Sequence, residues 1–441
     1  MGSDPLGCTV VGLGPAGAGF LFNAFKSGEY ERLCANGLLI LDGANSLGDG
    51  RLGEYEVSAN SVNDVFLNCL ADPSFGDIFS PLQNLPAYQR MRANPQGVSM
   101  LPEVAKVLGA ATELLVAHIE RTHGLVVRRG SRVEAIVRRG EHFALRVRAP
   151  DGSRYEVCTA SVVMNIGGIQ TPRLLLDALQ DMHLVAPEEG ERLLTSDRVL
   201  SEPVPALRAH FSNLMQASQS LVVVGGSHSA FSVLERLAFE LEAEGLKEIT
   251  LLHRSPIKLF FETREAAQLA GYVFDEESDV CPVSGRINRS GGLRYRAFEI
   301  GCGVLSEGLV PGTRVRVRTL QVGSGDAVQA DAQRCLDACA GVIQCIGYQP
   351  WLPELLNDDE EPIILREIQG GLDSDPTGCP SDTAGQRMDG LHLFGLGSGL
   401  AVDPEIGSEA SFRGRIYGIW QFHHDASRPA LERVLTKAAM A

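Results

Sequence analysis

Short apolar runs that end in glycine, each followed by a helix-like segment, recur along this chain. Thr9-Val10-Val11 reads as a strand running into Gly12, and a helix is expected from about Pro15 to Lys26. Leu38–Leu41 is the next apolar strand and ends in Asp42. Much later the pattern returns. Leu221–Val224 runs into Gly225-Gly226, a helix is expected from about Ser229 to Glu244, and the strand Ile249–Leu252 ends in His253-Arg254-Ser255. Strands that alternate with helices around glycine turns predict an α/β fold with two Rossmann-like units.

Between and after these units the periodicity changes. Val104, Leu108, Ala111, Leu115 and Ile119 carry helical spacing through the segment 101–124. Strand signals follow at 125–128, 132–138 and 143–148, then a turn at Asp151-Gly152 and a strand at 154–158, which together predict a small antiparallel meander. Three apolar strands then end in glycine: 161–168, 341–348, and 391–394 running into GLGSG (395–399), with a helix expected from Gly407 to His423. Residues 60–95 read as loop and short helix, and 259–299 as a long irregular region. The order predicts that the second unit interrupts the first, with one domain formed by 1–197 and 335–441 and the other by 198–334. A single long parallel sheet is the alternative.

The glycine spacings carry chemistry. Gly12, Gly14 and Gly17 form G-x-G-x-x-G: a tight turn, a position without a side chain where a pyrophosphate approaches, and close helix–strand packing. The helix behind them turns its amides and positive dipole end toward the phosphates. Asp42, at the end of the next strand, can accept hydrogen bonds from ribose hydroxyls. In the second unit that position is not acidic, and Arg254 can pair with a 2′-phosphate, which favours NADPH over NADH. A solvated surface arginine is the competing reading. Two such loops imply two nucleotides held at once, a flavin and a nicotinamide.

Composition narrows the class. A net charge of −16 argues against nucleic acid or an anionic membrane surface as the main partner. No apolar run is long enough to span a membrane. The first strand begins so early that no signal peptide is expected, and the cytoplasm is the expected location. Of the ten cysteines none forms Cys-x-x-Cys; Cys335 and Cys339 are the nearest pair, and ordinary reduced thiols are expected. His423-His424-Asp425 has no matching ligand cluster, so no metal site is expected. Association into a homo-oligomer is left open.

At this point the chain resembles the two-dinucleotide-binding-domain flavoproteins, and among them the NADPH-dependent flavin monooxygenases and N-hydroxylases. GLGPAG (12–17), with Gly12, Gly14, Pro15, Ala16 and Gly17, looks like the FAD loop. SVVMNIGGIQTP (161–172), with Gly167, and GVIQCIGYQP (341–350), with Gly347, resemble the two junctions between the domains. HFSNLMQASQSLVVVGGSHSA (210–230), with Gly225, Gly226, Ser227, His228 and Ser229, resembles the segment in which a histidine and serine precede the NADPH loop, and HRS (253–255) sits where such enzymes bind the 2′-phosphate. LHLFGLGSG (391–399), with Gly395 and Gly397, resembles the closing FAD segment, although the acid usual after its glycine is absent and Asp403 lies nearby. Asn165 and Ile346 replace the small or hydroxyl residues expected at the junctions, and the Baeyer–Villiger fingerprint is missing.

The resemblance implies FAD and NADPH as cofactors. It also implies transfer of one oxygen atom from O₂ to a small molecule, at an amine nitrogen in the N-hydroxylases, through a flavin C4a-hydroperoxide. Because the cofactor carries the hard chemistry, no acid–base dyad is demanded. Asn60 and Ser61 are the polar candidates near the flavin, with N-capping of the following helix as the competing role for Asn60. Arg286 and Arg294 are candidates for holding a substrate carboxylate or an NADPH phosphate, against a solvated loop. A flavin-dependent disulfide or electron-transfer reductase and a non-catalytic nucleotide-binding protein are the alternative functions.

Overall fold

The computed structural model describes residues 5–187, 190–368, 371–400, 405–415 and 426–439. Two sheets organise them. In the first, Leu391–Leu393, Arg154–Met164, Leu6–Val11, Leu38–Leu41 and Val127–Arg128 lie side by side and parallel. Val10 stands between Ile40 and Val163, so this part is apolar on both faces, as a sheet covered by helices must be. Pro15–Lys26 and Leu101–His123 cover one face, where Phe22 packs edge-on against Phe75 and Phe79. Each such fully buried side chain contributes about 1.5–3 kcal/mol by leaving water.

The meander forms, but not as a separate unit. Arg132–Arg139, His142–Arg148 and the first half of Arg154–Met164 pair antiparallel, and Glu354–Leu356 adds a parallel edge. The two strands expected at 154–158 and 161–168 are one strand of eleven residues. Thr159 is paired on both sides, with Leu6 and Phe143, so the chain has no reason to break there.

The second sheet runs Arg316–Gln321, Glu248–His253, Ser220–Val224, Gly341–Gln344, Leu193–Thr195, all parallel. Leu193–Thr195 and Gly341–Gln344, which lie on either side of the expected span 198–334, pair with one another inside this sheet. Between the two sheets, Gly168–Ile169 and Gln349–Pro350 pair antiparallel, so the outgoing and returning chain are bonded to each other.

The region 259–299 holds a short helix, Arg264–Leu269, and leads into a longer one, Tyr295–Glu307. The helix expected from Gly407 is absent over 407–415, because Glu409 points its carboxylate at the amides of Ser290 and Gly291 instead. The remainder of that helix, Asp403 and His423-His424-Asp425 lie outside the described residues. All ten cysteines are free thiols. Among the described residues, no helix is long and apolar enough to cross a membrane, and no His/Cys/Asp/Glu cluster could hold a metal ion.

Candidate active site

The first glycine loop is built by close approach. A Cβ on Gly17 would stand 2.3 Å from the Gly12 carbonyl, so the helix Pro15–Lys26 lies this near the strand only with glycine there. Gly14 differs: a Cβ there would meet only the Gly50 Cα, at 3.4 Å. The loop therefore leaves a free face at the helix N-terminus, beside Pro15 and Ala16, where a phosphate fits. Asp42 closes the loop from behind. Its Oδ2 accepts from the Leu13 N–H at 2.6 Å and its Oδ1 from the Ala44 N–H at 2.7 Å. Burial raises its pKa above the ordinary carboxylate value, against the pull of these two amides.

Three distant segments converge on this face. A Cβ at Gly395 would lie 3.9 Å from both the Ala16 Cβ and the Gly167 Cα, so the closing segment and the first junction both border the loop. Gly397 packs on the paired junction strand, where a Cβ would stand 2.3 Å from the Gln349 carbonyl carbon. This arrangement fits a dinucleotide laid along the first loop.

The second loop repeats the plan. Gly225, at φ 138°, brings the turn so near the neighbouring strand that a Cβ would lie 2.2 Å from the Cys345 carbonyl. Gly226 faces His253, Ser227 stands at the N-cap position of the helix His228–Leu241 without a side-chain capping bond, and Ser229 lies in its first turn. His228 accepts a hydrogen bond at Nε2 from the Arg294 N–H, and burial, with Arg294 nearby, lowers its pKa to about 4. At the strand end, Arg254 is exposed and its guanidinium has no ion pair among the described residues. This free cation beside an open helix N-terminus fits a phosphorylated dinucleotide.

Between the two loops lies a polar cluster that no local motif announces. Arg51 donates to Asp197 Oδ2 at 2.7 Å, and the hydroxyls of Tyr55 and Tyr348 both donate to Asp197 Oδ1. Gln170 completes it, accepting from the Asp197 N–H at 3.0 Å and donating to the Gly347 carbonyl at 3.0 Å. Gln170, inside the first junction, and Tyr348, inside the second, carried a sequence signal. Burial pushes the Tyr55 phenol well above its usual range, with Asp197 adding to the effect.

Asn60 is exposed, and the helix Asn63–Asn68 begins behind Val62 without a side-chain cap, so Asn60 is not its N-cap. Ser61 is buried. Neither side chain bonds to a residue of the two loops. Arg286 pairs with Glu262, whereas Arg294 lies with its guanidinium 4.2 Å from the Phe260 ring. Cys335 and Cys339 sit at the end of the helix Asp326–Ala338 in the second unit, Cys339 buried there.

No protein-family model matches the chain. Over 435 residues it is 30% identical to the CMP-5′-(3-aminopropyl)phosphonate hydroxylase of Streptomyces rubellomurinus, a match covering 97% of this chain and 96% of that protein. The chain belongs to the NADPH-dependent flavin monooxygenases. Among solved structures, this monooxygenase is similar to the FAD-bound cadaverine monooxygenase of Erwinia amylovora, at 15% identity and a TM-score of 0.57, covering 98% of this chain and 95% of that one. It is also similar to the ornithine N-hydroxylase of Kutzneria sp. 744, at 12% identity and a TM-score of 0.54, covering 97% and 99%. At these identities the likeness shows the shared fold. The monooxygenase is an FAD- and NADPH-dependent enzyme that transfers one oxygen atom from O₂ to a small molecule.

Proposed function

We propose that the atom oxidised is an amine nitrogen, and that the substrate is an aminoalkyl compound carrying a phosphonyl or phosphoryl group. The observation that carries this reading is the 30% identity with an aminopropylphosphonate hydroxylase across nearly the whole of both chains.

In this reading FAD lies along Gly12, Gly14, Pro15, Ala16 and Gly17, with Gly167 and Gly395 on its flank and Asp42 near the ribose. NADPH lies along Gly225, Gly226, Ser227, His228 and Ser229, with Arg254 on the 2′-phosphate and Gly347 at the junction. The nucleotide unit spans the second sheet, from Leu193 to Gln344, rather than 198–334. The free thiols and the need for NADPH favour the cytoplasm.

When bound, the reduced flavin supplies the oxygen chemistry by reacting with O₂. The chain's own residues bind, orient and exclude water. The loops position both nucleotides, and the Asp197 cluster fixes the second unit against the segment that borders Gly14. Asn60 and Ser61 stand at the end of that segment as polar groups toward the substrate. An amine must be neutral to react at nitrogen, so the pocket has to take up the proton of the incoming ammonium.

The test is direct. The purified enzyme is given NADPH, O₂ and 3-aminopropylphosphonate or its CMP conjugate, and the product is read by mass spectrometry. A hydroxylamine formed with matching NADPH consumption is expected. Oxygen on carbon or sulfur in competing substrates, with no hydroxylamine from any amine, would overturn the reading.

A further inference from the structure

The segment Arg286–Arg296 places four arginines in eleven residues, and the fold treats them in two ways. Arg286 pairs with Glu262 at 2.7 Å, and Arg296 with Glu235 and Glu299. Arg289 and Arg294 have no carboxylate partner among the described residues. The nearby acid is engaged elsewhere: the buried Glu409 accepts from the amides of Ser290 and Gly291 and from the Ser408 hydroxyl.

Both cations are nevertheless held in place. Arg289 Nη1 donates to the carbonyls of Ile406 and Gly407. Arg294 Nη2 donates to the Arg289 carbonyl, its guanidinium lies over Phe260, and its main-chain N–H donates to His228 Nε2 at 3.1 Å. Nε and Nη2 of Arg289, and Nε and Nη1 of Arg294, have no partner among the described residues. Since Nε2 of His228 accepts, its ring proton is on Nδ1. Burial first, and then Arg286 and Arg289, hold the Arg294 guanidinium below its ordinary basicity. Two fixed, half-buried cations with no carboxylate in ion-pair contact among the described residues, Arg294 feeling Glu262 only at longer range, are favoured by an anion that joins them.

We propose that Arg289 and Arg294 form a binding site for the phosphonyl or phosphoryl group of the amine substrate. Two guanidinium forks suit a group with several anionic oxygens better than a single carboxylate. Position favours substrate over dinucleotide. Arg254 already stands free for the 2′-phosphate, and Arg289 is tied to the chain beyond the closing segment, where the two units meet. A protein of net charge −16 repels such a group unless local cations receive it.

The inference rests on the amine reading only for the substrate's other end, so the probes separate the two. Binding of 3-aminopropylphosphonate, of propylphosphonate, which lacks the amine, and of NADP⁺ is measured calorimetrically on the oxidised FAD-loaded enzyme. The variants are Arg289→Gln, Arg294→Gln and Arg294→Lys. Each Gln variant should weaken both phosphonates by about ten- to a hundredfold while NADP⁺ affinity changes less than about threefold. Arg294→Lys, which keeps the charge, should recover part of the loss and guards against a folding defect in Arg294→Gln. Failure of the wild-type enzyme to bind either phosphonate, unchanged phosphonate affinity in the variants, or equal loss for NADP⁺ would overturn the site. Arginine-dependent phosphonate binding without any hydroxylamine would uphold it and overturn the amine reading instead.

Discussion

The Tyr348 hydroxyl donates to Asp197 Oδ1 at 2.5 Å, and the Tyr55 hydroxyl reaches the same oxygen at 2.9 Å. Tyr348 lies on the second junction, Asp197 opens the helix Ser196–Ser201 behind the first strand of the second sheet, and Tyr55 follows the segment that borders Gly14. One carboxylate thus ties together three parts of the chain that lie far apart in sequence.

Asp197→Asn keeps the shape but loses the charge that three donors share. Leaving such a buried network half satisfied costs about 1–3 kcal/mol. The variant should still bind FAD and oxidise NADPH, with a larger share of the electrons leaving as hydrogen peroxide. Peroxide yield per NADPH, measured with substrate present, checks this; an unchanged yield would make Asp197 a packing residue only.

Gly14→Val should fold and purify without its yellow colour. A Cβ there would lie in ordinary van der Waals contact with Gly50, at 3.4 Å, so the branched side chain crowds the side of the loop where the pyrophosphate approaches without a backbone clash as severe as at Gly17. Gly17→Val should instead lose soluble protein, because its Cβ would stand 2.3 Å from a carbonyl oxygen. Flavin absorbance and circular dichroism of the two variants separate the outcomes.

Arg254→Ala removes an exposed guanidinium with no ion pair among the described residues, so stability should change little. Loss of a charge-assisted bond of about 1.5–3 kcal/mol should weaken NADPH by about ten- to a hundredfold and leave NADH nearly unchanged. Equal loss of both cofactors in steady-state titrations would refute the 2′-phosphate role.

Two buried histidines set an acid limit. Burial lowers the pKa of His228 and of His392 to about 4. Below the unfolded value of about 6.5 the unfolded chain binds protons that the folded one refuses, so stability present at neutral pH falls as pH drops from about 6.5 to 4. The urea midpoint should be lower at pH 5 than at pH 7. His392→Asn should flatten that dependence; a slope equal to wild type would clear His392 of the effect.

Much of this was legible locally. An apolar run, a glycine at fixed spacing and an amphipathic helix are decided within about thirty residues, because strand burial, turn sterics and helix dipole act at short range. Both loops and the helix Pro15–Lys26 could therefore be read in advance. The eleven-residue strand Arg154–Met164 could not, since pairing of Thr159 with Leu6 and Phe143 keeps it whole. The placement of Leu193–Thr195 beside Gly341–Gln344 was hidden for the same reason.

By itself the sequence determined two glycine loops between strand and helix, and their order along the chain. Only the tertiary structure decided which charges are neutralised. Arg286 and Arg294 look alike in sequence, yet one pairs with Glu262 and the other lies on Phe260 with no carboxylate partner among the described residues. The Asp197 cluster likewise draws on residues 51, 55, 170, 197 and 348. Charge pairing is settled by distances across the fold, and no short-range pattern encodes them.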